Sequence, residues 1–307
     1  MVRRIAIRVL LSILLIGLVK ATAQQQSKDI QDNNEIKLSS DLILVNVTVT
    51  NTQGQFIRNL TKDHFSIKEE GKPQKIEFFG AEQTPFAVAV MLDVSGSMED
   101  KIRLARAAMA QFADQLREDD VMSIYRFSDE VKQIQDFSNS HDISDYVWDL
   151  KANGETMIYD CLVDAVTALS KREERRRAVL LISDGMDNHS SHSLDDSLKR
   201  ALAANVSVYS VDLIGTGSGN RPEELQGHAI MKQLAEKTGG RYLQTQGGTH
   251  LSEALEKVAE ELRSQYTVGY YSSNDKRDGK WRRIEVALPR PDASIHARAG
   301  YYAPKDK

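Results

Sequence analysis

The residues of this sequence best suited to metal chemistry are Asp93, Ser95 and Ser97, one carboxylate and two hydroxyls at alternate positions. They follow six apolar residues, 87–92, a run typical of a strand buried on both faces of a parallel sheet. Ligands bind at the carboxyl ends of such strands, because the loops there diverge and leave a crevice. All three side chains offer oxygen, the ligand atom that Mg²⁺ prefers. Since two of them are neutral, a dication held here would keep much of its charge and attract an anionic group.

Two further oxygen-bearing residues lie at comparable points later in the chain. Thr156 lies in a loop, residues 153–156, directly before a helical pattern, and Asp184 ends the apolar run of residues 178–183. Together with the pattern Asp-x-Ser-x-Ser at residues 93–97, they resemble the metal-ion-dependent adhesion site of von Willebrand factor type A domains. The resemblance implies that one metal site is formed by Asp93, Ser95, Ser97, Thr156 and Asp184.

The same resemblance implies how the site works. In this family the side chains of the first loop coordinate the metal directly, the threonine joins in the ligand-bound state, and the second aspartate often acts through water. We therefore expect a divalent cation, Mg²⁺ by preference and Mn²⁺ or Ca²⁺ as alternatives. We expect its open position to accept a Glu or Asp carboxylate of a protein partner. The alternative is an envelope scaffold or assembly factor in which the metal only joins three loops.

Enzyme motifs are incomplete in this sequence, and we predict that the protein is not an enzyme. A phosphatase of the haloacid dehalogenase type would need a second aspartate where Ser95 stands, and no serine elbow or P-loop motif is present. A metal-dependent hydrolase remains a weaker alternative, with Asp187 or His189 as its general base. His189 and His192 could also contribute to a second metal site, although a polar loop is the simpler interpretation.

Composition indicates an exported globular protein without a nucleic-acid surface. Residues 1–23 combine three arginines, an eleven-residue apolar run and small residues at a cleavage site, which predicts a signal peptide and a periplasmic or secreted location. The alternative is an uncleaved membrane anchor, for which the apolar run is short. The formal net charge is −4, and it becomes −8 without residues 1–23, which carry four basic residues and no acidic one. The single cysteine, Cys161, excludes an internal disulfide.

The chain divides by its periodicity into segments. We expect a flexible lead over residues 24–35, a small β unit over 36–83, an α/β domain over 84–263 and further β strands over 264–307. In the α/β domain strands and helices alternate, so we predict a doubly wound, mostly parallel sheet of the Rossmann-like type. We expect the two flanking β segments to meet in one small β-sandwich, with no transmembrane span remaining after signal cleavage.

The first β unit carries a second resemblance. Gly54, Leu60, Thr61, Asp63, Phe65 and residues 71–73 are similar to the amino-terminal segment of a bacterial subgroup of type A-related proteins found chiefly in Acidobacteria. The resemblance implies a bacterial envelope setting and does not identify a ligand.

Overall fold

The computed structural model describes residues 42–81, 83–140, 142–143, 145–213, 222–245 and 249–305. The predicted signal peptide, residues 1–23, and the predicted flexible lead, residues 24–35, lie outside the described residues. The strands, in chain order, are β1 (Leu42–Thr50), β2 (Ser66–Glu69), β3 (Lys72–Gln74), β4 (Ile76–Gly80), β5 (Phe86–Asp93), β6 (Val121–Phe127), β7 (Val131–Ser138), β8 (Arg176–Ser183), β9 (Val206–Leu213), β10 (Tyr242–Thr245), β11 (Tyr266–Tyr271), β12 (Trp281–Ala287), β13 (Ser294–Ala297) and β14 (Gly300–Tyr302). The helices are α1 (Ile102–Asp114), α2 (Asp145–Trp148), α3 (Ile158–Ser170), α4 (Leu194–Ala203), α5 (Pro222–Thr238) and α6 (Thr249–Ser264).

A six-stranded sheet forms the centre of the α/β part, in the order β10-β9-β8-β5-β6-β7. Neighbouring strands are parallel except at the edge, where β7 runs antiparallel to β6. Every residue of β5 and β9 is buried. These strands are therefore covered on both faces, which explains why they are continuous apolar runs in the sequence.

Helices cover both faces of this sheet. Val88 and Val90 of β5 belong to a core that also contains α1 and α6 residues, whereas Ala89 and Met91 belong to a second core with α3, α4 and α5 residues. Alternate strand residues point to opposite faces, so a strand that feeds two cores must be apolar at successive positions. The arrangement confirms the predicted doubly wound, mostly parallel fold.

Two antiparallel sheets are built from strands of both chain ends. One has the order β13-β1-β11-β4 and the other the order β14-β12-β2-β3. Val45 and Val268 from the first sheet share one apolar core with Ile67 and Ile284 from the second. The predicted β-sandwich of amino- and carboxyl-terminal segments is therefore present. The domain boundaries predicted at residues 83 and 263 stay predictions.

The last predicted strand, residues 294–302, is divided in two. Its first part, β13, pairs with β1, and its second part, β14, pairs with β12 of the other sheet. The chain changes sheets at Arg298, whose buried guanidinium donates hydrogen bonds to the carbonyls of Leu202 and Leu44. These contacts lie where the chain passes from one sheet to the other, and a local sequence pattern could not show them.

Within residues 42–305, as far as they are described, no helix is both long enough and apolar enough to cross a membrane.

Candidate metal centre

Two of the candidate residues, Asp93 and Asp184, lie where β5 and β8 end side by side at the carboxyl edge of the central sheet. Leu92 is paired with Ile182 in the parallel register. Asp93 therefore lies beside Ser183, and Asp184 follows directly. Because alternate residues of β5 pack in opposite cores, a shift of register by one residue would exchange the side chains that fill each core. Core packing thus fixes the relative position of the two carboxylates.

Asp93 is a fully buried carboxylate, with none of its surface exposed. One oxygen accepts a hydrogen bond from the backbone N–H of Ser95 at 2.8 Å, and the other accepts one from the hydroxyl of Ser183 at 2.5 Å. Burial raises the pKa of Asp93 to about 6, although both hydrogen bonds act in the opposite direction. An ionised carboxylate in this position is costly without a nearby positive charge, so the site favours a cation.

A line of polar contacts joins the first loop to Asp184. The hydroxyl oxygens of Ser95 and Ser97 are 3.1 Å apart, and the Ser97 hydroxyl donates to Asp184 at 2.8 Å. The other oxygen of Asp184 accepts a hydrogen bond from the Lys101 ammonium at 2.6 Å. Hydroxyl hydrogens rotate freely, so both serines can turn a lone pair toward a cation without backbone movement.

Thr156 is buried in a second loop that contacts both other loops through hydrogen bonds. The backbone N–H of Gly96 donates to the carbonyl of Gly154 at 3.0 Å, which joins the first loop to the second. The N–H of Thr156 donates to the side-chain oxygen of Asn188 at 2.8 Å, and the Asn188 N–H returns to the Thr156 carbonyl at 3.1 Å. The second loop therefore bridges the loops that carry Asp93 and Asp184.

Gly154 is the position where this second loop requires glycine. Its φ is +85°, and a Cβ atom there would lie 2.3 Å from a carboxylate oxygen of Asp129. Asp129 in turn accepts the backbone N–H of Glu155 at 2.6 Å. The close approach of this carboxylate helps to set the path of the chain just before Thr156.

Helix α5 lies directly against the loop that follows Asp184. Gly185 has a φ of +130°, and a Cβ atom on Gly227 of α5 would lie 2.6 Å from the Gly185 carbonyl oxygen. The next helical residue, His228, is 2.5 Å from the fully buried carboxylate of Asp212. Burial raises the pKa of Asp212, which also accepts a hydrogen bond from Tyr242. The third loop of the site is thus packed against a helix with no space between them.

The residues considered for a general base or a second metal site, Asp187, His189 and His192, lie in a loop with structural hydrogen bonds. Asp187 accepts the backbone N–H of Tyr159 at 2.9 Å and so caps the start of α3, and His192 is 2.7 Å from Asp160. Among the residues that the structure describes, no group of three or more His, Cys, Asp and Glu side chains could hold a metal. A second site at His189 and His192 therefore has no third ligand of these types within the described chain. The main candidate site is not such a group, because three of its five donor side chains are hydroxyls and only two are carboxylates.

Three residues of the site were not identified from the sequence. Ser183 donates to Asp93, Asn188 holds Thr156, and Lys101 pairs with Asp184. Ser183 directly precedes Asp184 at the end of a buried strand. The sequence pattern therefore could have predicted that Ser183 lies near the site. No local pattern distinguishes Lys101 or Asn188 from other polar residues in loops, and only their contacts identify them.

The donor set fits a hard divalent cation. It consists of two carboxylates and three hydroxyls, all oxygen ligands, with no thiolate or imidazole among them. The carboxylate of Asp93 adds a buried negative charge, which accepts hydrogen bonds from two neutral groups. If a divalent ion binds, the residues positioned to hold it are Asp93, Ser95, Ser97, Thr156 and Asp184.

Comparisons with known proteins agree with this architecture. Residues 87–242 match the family model of the von Willebrand factor type A domain. Inter-alpha-trypsin inhibitor heavy chain H3 of Bos taurus is 24% identical in an alignment 194 residues long, which covers 56% of this chain and 22% of that protein. The chain spans less than a quarter of the length of this relative and of its Mus musculus counterpart.

Two solved structures are among those similar to this chain. The pilus adhesin SpaC from Lactobacillus rhamnosus GG, in its open conformation, has a TM-score of 0.50 and 11% identity, covering 83% of this chain and 49% of that one. A von Willebrand factor type A protein from Catenulispora acidiphila has a TM-score of 0.49 and 10% identity, covering 89% of this chain and 76% of that one. At 11% identity the SpaC structure shows a shared fold and nothing further.

Proposed function

The chain belongs to the von Willebrand factor type A domain family, whose model matches about half of it, and we propose that it binds a protein partner through a metal-ion-dependent adhesion site. The observation that supports this most directly is the polar line from Ser95 through Ser97 to Asp184, beside the buried carboxylate of Asp93. Loops from three different parts of the chain contribute to it, and each is joined to another by hydrogen bonds.

Each residue has a role in this proposal. Asp93 supplies the buried negative charge, and the hydroxyls of Ser95 and Ser97 supply neutral oxygen ligands. Thr156 and Asp184 complete the donor set from the second and third loops. A bound divalent cation, Mg²⁺ by preference, supplies a Lewis-acidic position for a Glu or Asp carboxylate of the partner. Because the hydroxyls do not neutralise the cation, the attraction for that carboxylate stays strong.

The setting of this interaction is also part of the proposal. We infer a protein exported to the periplasm or outside a bacterial cell, and related to the Acidobacteria-type subgroup. The signal-peptide pattern of residues 1–23 and the subgroup resemblance of residues 54–73 support this inference. Members of this family are mostly interaction modules, and the carboxylates near the site have structural partners, so we infer a binding protein and not an enzyme.

Calorimetric titration of Mg²⁺ and Mn²⁺ into the chelator-treated protein tests the proposal. We expect saturable binding by the wild type and none by Asp93→Ala, with the variant still folded by circular dichroism. Asp195→Ala is the matched control, because Asp195 is an exposed aspartate on α4 that pairs with Lys199 away from the site. It should bind metal as the wild type does.

Thermal melts of the same proteins separate the proposal from the alternative of a structural metal. A metal that serves mainly for partner binding leaves metal-free and metal-bound proteins both folded at working temperature, with a modest rise in Tm on metal addition. A metal that only joins the three loops would leave the chelated protein and Asp93→Ala largely unfolded. No metal binding by the wild type, in any of the titrations, would refute the adhesion site.

A further inference from the structure

We propose that Lys101 sets the charge of the metal site, so that it weakens the binding of the metal and strengthens the binding of an anionic ligand to the metal-loaded protein. The inference rests on the proposed adhesion site and adds a residue that selects for the charge of the ligand. It starts from a contact that the motif does not explain. Lys101 lies four residues beyond Ser97, outside the five motif residues, yet its ammonium contacts Asp184 at 2.6 Å.

The contact is a largely buried ion pair within the site. The Lys101 side chain is 22% exposed and that of Asp184 is 12% exposed, so solvent screens their charges only in part. Both oxygens of Asp184 are engaged, one by the Lys101 ammonium and the other by the Ser97 hydroxyl. A cation that enters the site therefore meets a carboxylate whose charge is already compensated by a lysine of the same chain.

The position of Lys101 in its helix argues against a purely structural role. Lys101 is the residue that precedes the first turn of α1, and its side chain makes no capping hydrogen bond there. The amino terminus of a helix carries partial positive charge, so a lysine at this end is electrostatically unfavourable for the helix. The local structure would favour an acidic or hydroxyl residue at position 101. The ion pair with Asp184 compensates for this unfavourable position of the lysine.

A count of formal charges shows the consequence for ligands. Asp93 and Asp184 contribute two negative charges and Lys101 one positive charge, so the site has a net charge of minus one when both carboxylates are ionised. A bound dication changes this to plus one. Without the lysine charge, the loaded site would be neutral and the empty site would be doubly negative. Lys101 therefore opposes the entry of the dication and leaves an unbalanced positive charge for a carboxylate.

Other charged groups near the site do not alter this comparison. Glu99 and Asp100 precede Lys101 on the exposed side of the same turn, and Glu155 is exposed in the second loop. Asp212 interacts electrostatically with Asp184. Its carboxylate lies 2.5 Å from the imidazole of His228 and accepts a hydrogen bond from Tyr242. All of them stay the same when only position 101 is changed, so the difference between variants reports the lysine charge alone.

The proposal makes two predictions of opposite sign for Lys101→Met, which keeps the aliphatic stem and removes the charge. Its affinity for Mn²⁺ should rise about tenfold, since one repulsive charge near the ion is lost. Its response to a carboxylate should fall. Acetate that binds the loaded site lowers the apparent Kd for Mn²⁺ in the wild type, and this effect should be reduced or lost in Lys101→Met. A residue that only stabilised the loop would lower both quantities together.

The experiment is a calorimetric titration of Mn²⁺ into the chelator-treated full chain, with and without sodium acetate at equal ionic strength. Lys101→Arg is the charge-conserving variant and should behave as the wild type does. Lys199→Met is the matched control, because Lys199 makes an ion pair of the same length, 2.6 Å, with Asp195 on the surface of α4. A thermal melt of each variant establishes that it is folded.

The outcomes separate this inference from the proposed function. Tighter Mn²⁺ binding by Lys101→Met with a smaller acetate effect supports the inference, provided that Lys101→Arg and Lys199→Met match the wild type. Wild-type metal binding with an unchanged or weaker affinity in folded Lys101→Met overturns the inference and leaves the adhesion site intact. An equal change in Lys101→Arg also overturns it, because charge would then not be the cause. Absence of metal binding in the wild type and in Lys101→Met refutes both.

Discussion

At the scale of single residues, Asp93 combines complete burial with a charge that the metal-free protein does not compensate. Its pKa rises from an ordinary value of 3.8 to about 6 in the folded protein. A carboxyl with a raised folded-state pKa holds its proton more tightly when folded than when unfolded. Its stabilising contribution is therefore complete below about pH 4 and is lost as the pH rises toward 6. Above pH 6 the ionised Asp93 lowers the stability of the metal-free fold.

Replacement of Asp93 by asparagine should therefore stabilise the metal-free protein and abolish metal binding. Asparagine keeps the size of the side chain and can still accept the Ser95 N–H, but it carries no charge. We expect the free energy of unfolding at pH 7 to rise by roughly 2 to 3 kcal/mol, the equivalent of the shift in pKa. Urea denaturation in a chelator at several pH values from 4 to 8 measures this.

The dependence on pH identifies the cause of that stabilisation. The difference between Asp93→Asn and the wild type should grow from pH 4 to pH 6 and then stay constant. Asp195→Asn, at an exposed position, should show no such dependence. A difference that is the same at every pH would mean that packing, and not the buried charge, explains the change. Mg²⁺ should raise the Tm of the wild type and of Asp195→Asn but not that of Asp93→Asn.

At the scale of secondary-structure elements, the relation between α5 and the third loop is controlled by Gly227. A Cβ atom there would lie 2.6 Å from the carbonyl oxygen of Gly185, the residue after Asp184. We expect Gly227→Ala to force α5 and the loop apart, to destabilise the fold by about 1 to 3 kcal/mol and to weaken Mg²⁺ binding. Urea denaturation and calorimetric titration measure the two effects.

Helix propensity acts in the opposite direction to the close contact, because alanine favours a helix by about 1 kcal/mol over glycine. A loss of stability in Gly227→Ala would therefore come from the contact and not from the helix itself. Gln226→Ala, at the exposed neighbouring position of the same helix, controls for changes in the helix that do not involve the loop. It should leave metal affinity unchanged. If Gly227→Ala were more stable than the wild type and bound Mg²⁺ equally well, the close contact would have no part in positioning Asp184.

At the scale of the whole molecule, the β-sandwich joins segments about 200 residues apart around a buried carboxylate. Glu69 of β2 accepts hydrogen bonds from the hydroxyls of Tyr270 and Tyr301, each at 2.9 Å, and from Ser272 at 2.6 Å. The buried guanidinium of Arg282 lies 3.5 Å from it. Four residues of the carboxyl-terminal segment thus depend on one residue of the amino-terminal segment.

Glu69→Gln should destabilise the protein by about 3 kcal/mol or more, because it removes the carboxylate that faces the buried guanidinium of Arg282. The guanidinium keeps its hydrogen bonds to Ser272 and to the carbonyl of Asn274 but loses the opposite charge. Urea denaturation followed by tryptophan fluorescence and by circular dichroism measures this. Glu77→Gln is the control, since Glu77 forms an exposed ion pair with Lys75 at 2.8 Å, and we expect it to leave the transition in place. Equal transitions for Glu69→Gln and the wild type would show that the network does not contribute to stability.

Several properties of this protein follow from local patterns in its sequence. The apolar runs at 87–92 and 178–183 predicted buried parallel strands, and the structure confirms them as parts of β5 and β8. The polar residues that end these runs were predicted to share one edge of the sheet, and that is where Asp93 and Asp184 lie. Local patterns suffice here because a strand covered on both faces must be apolar throughout, and parallel strands end at the same edge. The role of these residues in metal binding stays a prediction.

Only the tertiary structure decided the contacts between residues that are far apart in the sequence. The bond from Ser183 to Asp93, the ion pair of Lys101 with Asp184 and the cluster around Glu69 each join residues that are more than 80 positions apart. The division of residues 294–302 between two sheets was also decided by the tertiary structure, because each part pairs with a different strand. Such contacts depend on strand order and register, which are set by the packing of several elements at once. No periodicity within one segment encodes them, because the partner of each side chain lies in another part of the chain.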